Sequence, residues 1–347
     1  PSWNTASSPS SHPLHGVLNF DPMNRKNLPS PLLFALLALL FSGCERLGNG
    51  VVQEIDFPTH TPQLAVTLIS RPTTDTLVAR AHTSAGILDT TGSKRLKTAL
   101  FTLTHEDGAS YTWGGQTDWM HGIGHVLPNV ELGSGSWTLQ CEEDAFETAT
   151  ATQMVPPQID SLGDYAYAMT TALNSMDIDE YSDGEVTKYF LSRNWTLELT
   201  LPDRPSSRDF FILKAQQTNE GEEEEFWQNS TWVSPDIEDD TRIEYNSLAD
   251  GLIIEDVSEA NSLNSLRFEV DQYSSGEDLE ALLANRATLE LAALSPELYE
   301  YYRTLELIAN PSGGALFTEP LLAYSNISSG FGCFGLYTSC VISLPGE

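Results

Sequence analysis

The sequence predicts a mainly β protein, with an N-terminal immunoglobulin-like β-sandwich followed by a larger β-rich domain that carries one prominent α-helix. Short runs of β-branched or alternating residues recur along the chain, and clusters of Gly, Pro, Asp and Asn separate them. In the first half, five or six such runs fall within about 100 residues, which is the spacing of a β-sandwich. Only the segment 296–309 has the apolar period and the end signals of a long helix.

The immunoglobulin-like sandwich is predicted for residues 55–157, because its apolar runs are short and Pro156-Pro157 marks a natural boundary. The segment His105-Glu-Asp-Gly108 is a turn signal between two of the runs. The predicted strands of this domain cover residues 64–69, 77–81, 98–104, 136–141 and 148–152.

The second domain, residues 158–347, repeats the β pattern with longer alternating runs. Trp195, Leu197 and Leu199 fall on one face of a strand, because side chains two residues apart point the same way. The acidic segments 177–185 and 219–225 are predicted to be exposed loops. The predicted strands are 195–201, 209–215, 266–270 and 288–292.

The helix at 296–309 has a defined start and end. Ser295 is a good N-cap, Pro296 suits the first helical position, and Asn310-Pro311 stops the helix. The spacing of its apolar residues predicts a single buried stripe. That stripe consists of Leu298, Tyr301, Tyr302, Leu305 and Ile308.

The N-terminal part of the chain predicts export and lipidation. The basic pair Arg25-Lys26 precedes eleven mostly apolar residues, 31–41, and the small residues Ser42-Gly43 lead into Cys44. The apolar run is too short for a membrane-spanning helix, which needs about 20 residues, and the pattern is typical of a lipoprotein signal peptide. We therefore predict lipidation of Cys44. This pattern predicts three N-terminal segments: an upstream extension at 1–22 that is not native to the protein, a signal peptide at 23–43 and a tether at 44–54.

The charge balance limits the partners of this chain. It carries 17 basic and 49 acidic residues, which gives a formal net charge of −32. Nucleic acid is excluded as a partner because its phosphates require a basic surface. Docking on anionic lipid by charge is disfavoured for the same reason, so membrane contact is predicted to occur through the lipid anchor alone.

The cysteines leave two interpretations open. Cys333 and Cys340 are close enough in sequence to bridge across a short hairpin in an oxidising compartment, which would leave Cys141 as a free thiol. Alternatively, the three cysteines are independent buried thiols.

Catalytic motifs are missing from the sequence. It contains no Gly-x-Ser-x-Gly, His-Glu-x-x-His or phosphate-binding Gly-x-x-x-x-Gly-Lys pattern, so we predict no catalytic residue and no cofactor. His121 and His125 lack an evident third metal ligand, and the segment 177–185 misses the register of an EF-hand. No metal site is therefore predicted.

Exposed aromatic residues are the remaining candidates for a binding site. Tyr111, Trp113 and Trp119 lie in a glycine-rich stretch, where aromatic rings beside polar groups could contact a ligand or a partner. The alternative is that they pack along the edge of the sandwich.

Three segments together resemble a known family. They are 54–66, the start of the helix at 294–302, and the closing stretch with Glu319-Pro320 and 324–334, where Ser329 replaces the first residue of a usual glycine pair. They resemble the uncharacterised Bacteroidota lipoproteins called domain of unknown function 4249. The resemblance implies a lipid-anchored outer-membrane protein, with the cell surface as one setting, that assists a TonB-dependent receptor. It supplies no catalytic residues.

The predicted function is a non-enzymatic accessory protein that binds a TonB-dependent receptor or its cargo. Two alternatives stay open at this point. One is a surface hydrolase of glycans or peptides that uses an acidic pair such as Asp177 and Asp179, and the other is a surface adhesin.

Overall fold

The computed structural model describes residues 60–86, 89–90, 92–115, 124–159, 165–180, 184–199, 201, 208–218, 229–235, 243–256, 266–310 and 322–345. Within these ranges it has sixteen strands and two helices, so the mainly β fold class is confirmed. Cys44, the signal peptide and the tether lie outside the described residues.

An immunoglobulin-like sandwich forms the first part of the fold, as predicted. One face is the sheet β1-β2-β5 and the other is β4-β3-β6-β7. Strands that are consecutive in the chain are thus divided between two facing sheets. This order is the Greek-key arrangement of immunoglobulin-like domains. Its strands are β1 (Leu64–Ser70), β2 (Thr76–Thr83), β3 (Leu100–His105), β4 (Ser110–Gly114), β5 (His125–Pro128), β6 (Ser136–Glu142) and β7 (Ala149–Met154).

Strict alternation builds the core of this sandwich. Leu64, Val66 and Leu68 point inward from β1 and are at most 1% exposed, whereas the residues between them are half-buried. Phe101 and Leu139 face them from the opposite sheet in the same apolar cluster. The period of two in the sequence therefore corresponds directly to the buried face.

A second sandwich follows. Its outer sheet has the order β11-β14-β9-β8, and its inner sheet has the order β12-β13-β10-β15-β16. The strands are β8 (Tyr165–Glu180), β9 (Gly184–Leu199), β10 (Asp209–Thr218), β11 (Asn229–Pro235), β12 (Ile243–Asn246), β13 (Gly251–Asp256), β14 (Leu266–Gly276), β15 (Arg286–Leu294) and β16 (Gly330–Ser343). The alternating residues Trp195, Leu197 and Leu199 are buried between the two sheets, as predicted.

The last strand joins the two sandwiches. Residues 330–336 of β16 pair in parallel with β1, and residues 337–343 pair antiparallel with β15. Phe334 and Leu336 belong to the first core, whereas Ile342 packs against the second. The chain before Pro157 and the chain after it thus enter two apolar cores, but the last strand returns to the first core and one eight-stranded sheet runs across both.

The predicted helix is confirmed with its predicted ends and becomes α2 (Pro296–Ala309), whereas α1 (Leu279–Ala284) was missed. Ser295 caps α2 by accepting a hydrogen bond from the Leu298 amide at 3.4 Å. The helix covers the face of the inner sheet that points away from the second core, where it packs on Phe210 and Ile212.

The buried face of α2 differs from the predicted stripe at two positions. Ile308 is 42% exposed, whereas Tyr299, outside the predicted stripe, is buried. Tyr299 can be buried because its ring stacks on Phe210 and its hydroxyl reaches Glu255, so its polar end is satisfied. Neither helix in the described part of the chain is long and apolar enough to cross a membrane.

Candidate functional site

A cleft of about 490 Å³ lies between helix α2 and the edge of the inner sheet formed by β10, β12 and β13. It is lined mainly by charged and aromatic side chains from α2, β12 and β13 and from the residue that precedes β10. The lining residues are Arg208, Glu244, Tyr245, Asn246, Ile253, Glu255, Tyr299, Glu300, Arg303, Glu306 and Leu307.

Strand and helix periodicity explain why these side chains converge. Phe210 points toward α2, so Arg208, two residues earlier, lies on the same side of the sheet. Glu255 follows Ile253 on β13 in the same way. On α2, Tyr299, Glu300, Arg303, Glu306 and Leu307 recur at helical spacing, which places them along one face.

Glu255 organises one end of the cleft. Its carboxylate forms an ion pair with Arg208 and accepts a hydrogen bond from the Tyr299 hydroxyl at 2.8 Å. Phe210 packs beneath both partners: the Tyr299 ring centroid lies 4.1 Å from its own, and the Arg208 guanidinium carbon lies 5.4 Å from it. Burial, together with the hydrogen bond to Glu255, raises the pKa of Tyr299, so its hydroxyl stays a donor at neutral pH.

Two further groups fix the helical wall. Arg303 donates to Glu300 at 2.8 Å, and this hydrogen bond raises the pKa of the guanidinium. Glu306 accepts hydrogen bonds from the amide and the hydroxyl of Ser247, both at 2.9 Å. Burial works to raise the pKa of Glu306, but hydrogen bonds from Asn310 and Ser247 outweigh it and lower that pKa, so the carboxylate stays ionised.

The turn between β12 and β13 forms the mouth of the cleft. Tyr245, near the end of β12, is 54% exposed, and its hydroxyl donates to Asp250 in the turn at 3.0 Å. The buried Asn246 side chain donates to the backbone oxygen of Tyr302 at 3.0 Å and accepts from the Ala249 amide at 2.8 Å. This asparagine therefore anchors the turn to α2 and sets the width of the cleft.

The lining of the cleft is strongly polar. Two guanidinium groups, four carboxylates and two phenols line it, and the neighbouring ion pairs and hydrogen bonds hold most of them in place. Such preorganised donors and acceptors lose little side-chain freedom when a ligand binds.

The predicted aromatic contacts lie in the sandwich, away from this cleft. Trp113 is only 7% exposed, stacks on Phe101 at 5.4 Å between centroids, and donates to the backbone oxygen of His125 at 3.3 Å. The prediction of Trp113 as a ligand contact is therefore wrong, because the ring fills the core. Tyr111 is half-buried and donates to the backbone oxygen of Glu131 at 3.2 Å, and Trp119 lies outside the described residues.

The histidine pair does not build a metal site in the described chain. His125 is 1% exposed, and its Nε2 lies 2.8 Å from the backbone oxygen of Leu96. His121 lies outside the described residues. Among the residues the structure places, no group of three His, Cys, Asp or Glu side chains could hold a metal ion.

The acidic segment predicted as a loop at 177–185 is largely strand. Asp177 and Asp179 belong to β8, and backbone pairing with β9 continues as far as Glu180, which is opposite Gly184. Residues 181–183 lie outside the described residues. The prediction of a loop failed because strand pairing with β9 continues through these polar residues. The predicted loop at 219–225 lies outside the described residues.

The proposed bridge between Cys333 and Cys340 is excluded by the fold. Both residues lie on the same strand, β16, and both thiols are free, as is that of Cys141. Seven strand residues span about 23 Å, whereas a disulfide needs α-carbons within about 7 Å. The segment is one continuous strand, without the hairpin that the prediction assumed.

We expect Cys141 and Cys333 to react far more slowly with a thiol reagent than Cys340 in the folded protein. Burial, with help from Glu143 and Glu297 respectively, raises the pKa of each thiol to about 12. At about pH 8 the reactive thiolate is then about one part in 10⁴ of each. Timed labelling followed by peptide mapping without reductant checks this. A peptide linking Cys333 to Cys340 would contradict the fold of β16.

Sequence reasoning missed the residues of the cleft. The signal was the polar face of the predicted helix, where Glu300, Arg303 and Glu306 recur every three residues. The charged residues on the sheet side of the cleft, Arg208 and Glu255, are distant in sequence, and only the pairing of β10 with β13 brings those two together.

Fold and cleft define a β protein of two sandwiches with a polar cleft beside its main helix. The chain belongs to the family described as Domain of unknown function (DUF4249), which matches residues 52–341. This confirms the family resemblance itself. No curated protein matches the chain.

Two solved structures resemble the chain weakly. The full-length major pilin SpaD of Corynebacterium diphtheriae has 8% sequence identity and a TM-score of 0.17, covering 69% of this chain and 64% of the pilin. The BSP domain of a biofilm-associated protein has 6% identity and a TM-score of 0.13, covering 83% of this chain and 62% of that one. The chain thus spans less than two thirds of either, and similarity this low carries no argument about fold or function.

Proposed function

We propose that this protein is a lipid-anchored, non-enzymatic accessory protein of the outer membrane that holds polar cargo for a TonB-dependent receptor. The observation that carries this proposal is the cleft beside α2. Its volume of about 490 Å³ falls within the range of about 300–1,000 Å³ that is usual for small-molecule sites. Its charged walls favour a polar ligand.

The state of the carboxylates favours binding over hydrolysis. A glycosidase needs one carboxyl with a raised pKa to act as the general acid. In the cleft the pKa of Glu306 is lowered, and Glu255 and Glu300 are each engaged by an arginine. The alternative pair, Asp177 and Asp179, lies two residues apart on a single strand, β8, of the outer sheet.

The membrane part of the proposal depends on Cys44. The net charge of −32 opposes adsorption to anionic lipid, so a lipidated cysteine would supply the attachment. We expect Cys44→Ala to move the protein from the membrane fraction to the soluble fraction. Cys340→Ala is the matched control and should leave the protein in the membrane. A Cys44→Ala chain that stays in the membrane fraction would refute the anchor.

Receptor and cargo are tested together on protein extracted from outer membranes. We expect the tagged wild-type chain to co-purify with a TonB-dependent receptor and to carry a small molecule visible by native mass spectrometry. Arg303→Ala should weaken the affinity for the ligand by about 10- to 100-fold, because a hydrogen bond to a charged group contributes about 1.5–3 kcal/mol. The fraction of protein that carries the ligand should fall accordingly. Arg267→Ala, which removes an exposed arginine from the outer sheet, should retain the ligand.

The outcomes separate the two halves of the proposal. Purification without any TonB-dependent receptor argues against the partner. Equal ligand occupancy in the wild type and Arg303→Ala argues against the cleft as the cargo site.

A further inference from the structure

Strand β8 is the last of the described strands in the outer sheet, and none of the described strands pairs with its second edge. The order β11-β14-β9-β8 places it at the end of the sheet formed by the described strands, with β9 as its neighbour. Residues 172–176 are exposed on both faces of the sheet, including Leu173 at 45% and Met176 at 53%. The backbone of this stretch is therefore within reach of another strand.

Residues 165–176 of this edge lack the sequence devices that usually protect such strands. Proteins block free edges with lysine, proline, bulges or very short strands. In contrast, β8 has 16 residues, and its register with β9 runs without a bulge from Tyr165 to Glu180. Residues 165–176 include no charged residue and no proline.

We propose that two copies of this chain associate by antiparallel pairing of their β8 strands, which extends the outer sheets into one continuous sheet. Pairing of two free edges satisfies the backbone donors and acceptors of both and forms a closed two-fold interface.

The distribution of charge selects the register. If Thr171 lies on the two-fold axis, residues 166–176 of each copy pair with 176–166 of the other, and all of them are uncharged. Met169 of each copy then faces Leu173 of the other on one side of the sheet, and such apolar cross-strand pairs stabilise a ladder. The acidic residues at 177, 179 and 180 fall outside this stretch, so like charges are not opposed.

Net charge makes the salt dependence diagnostic. Each copy carries −32, so the two repel at long range, and added salt screens this repulsion. The dimer should therefore strengthen between about 0.05 M and about 0.5 M NaCl. An interface built on ion pairs would weaken over the same range.

Sedimentation equilibrium of the full-length chain carrying Cys44→Ala tests the proposal. We expect a reversible dimer that Ala172→Lys weakens by at least about tenfold, because the two lysines would lie diagonally across the axis on one face of the ladder, about 7–8 Å apart, and repel each other. Ser192→Lys is the matched control. Ser192 is exposed and lies directly opposite Ala172 on β9, so a lysine there adds the same charge to a strand that is already paired on both sides. It should leave the dimer unchanged.

A cross-link reports the register independently of stability. In the proposed pairing Thr171→Cys places two thiols across the axis, where α-carbons lie about 4.5–5.5 Å apart, and a disulfide-linked dimer should form on mild oxidation. A chain that stays monomeric at every protein and NaCl concentration overturns the proposal. A monomeric chain whose β8 instead pairs with a strand of a different protein also overturns it. A dimer weakened equally by Ala172→Lys and Ser192→Lys, or by neither, also overturns it.

Discussion

Gly332→Ala is expected to destabilise the folded chain by about 3–5 kcal/mol, the sum of backbone strain and overpacking. Gly332 has a φ of +109°, which side-chain-bearing residues rarely adopt. A Cβ at this position would also overlap the carbonyl oxygen of Val66. Val66 is the residue that pairs with Gly332 between β1 and β16, so relief of the overlap requires the two strands to separate.

Urea denaturation of the lipid-free chain measures this effect. Gly133→Ala is the matched control, because a Cβ at Gly133 meets no atom within 4 Å and its φ is not in the positive range. We expect that control to lie within about 0.5 kcal/mol of the wild type. If Gly332→Ala were as stable as Gly133→Ala, β16 could not lie against β1 as the structure shows.

Arg193→Met is expected to cost about 3–5 kcal/mol, because it leaves buried acceptors without their charged donor. Arg193 is 1% exposed on the inner face of β9. Its guanidinium donates to the backbone oxygens of Asn285 at 2.6 Å and Leu283 at 3.0 Å, at the C-terminal end of α1. It also reaches the Gln272 side chain at 3.4 Å.

The same denaturation assay, together with hydrogen exchange at α1, checks this second prediction. Arg193→Lys keeps the charge but loses the planar fork that reaches two carbonyls, so we expect an intermediate loss of about 2 kcal/mol. Arg267→Met removes an arginine that is exposed on the outer sheet face and should change stability by less than about 1 kcal/mol. Equal stability of Arg193→Met and Arg267→Met would show that α1 is held without Arg193.

The local sequence pattern was sufficient to predict a strand or helix wherever one face of that element is buried. Leu64, Val66 and Leu68 alternate with half-buried residues in the sequence and in β1, so strand and buried face were both predictable. Helix α2 was predictable because Ser295 and Asn310 mark its ends. Helix α1 was missed because six residues are too few to show a period and much of its support comes from the distant Arg193.

The candidate site illustrates the opposite case. Trp113 was predicted to contact a ligand because it stands among glycines and polar residues, but the facing sheet supplies Phe101 and turns it into a core residue. Conversely, Arg208, Glu255 and Tyr299 have no common signal in the sequence. They meet because two strands and a helix cross at one edge, and charged side chains distant in sequence can be recognised as a site only by their proximity.

Short-range chemistry thus sufficed for the mainly β class, for most of the sandwich strands and for the main helix, since each depends on residues within a few positions of one another. The predicted lipidation of Cys44 likewise depends only on its neighbours. The tertiary structure decided the rest: the return of β16 to β1, the free cysteines, the polar cleft and the open edge of β8. Those features depend on which strands pair across long stretches of chain, and many alternating sequences are compatible with more than one neighbour.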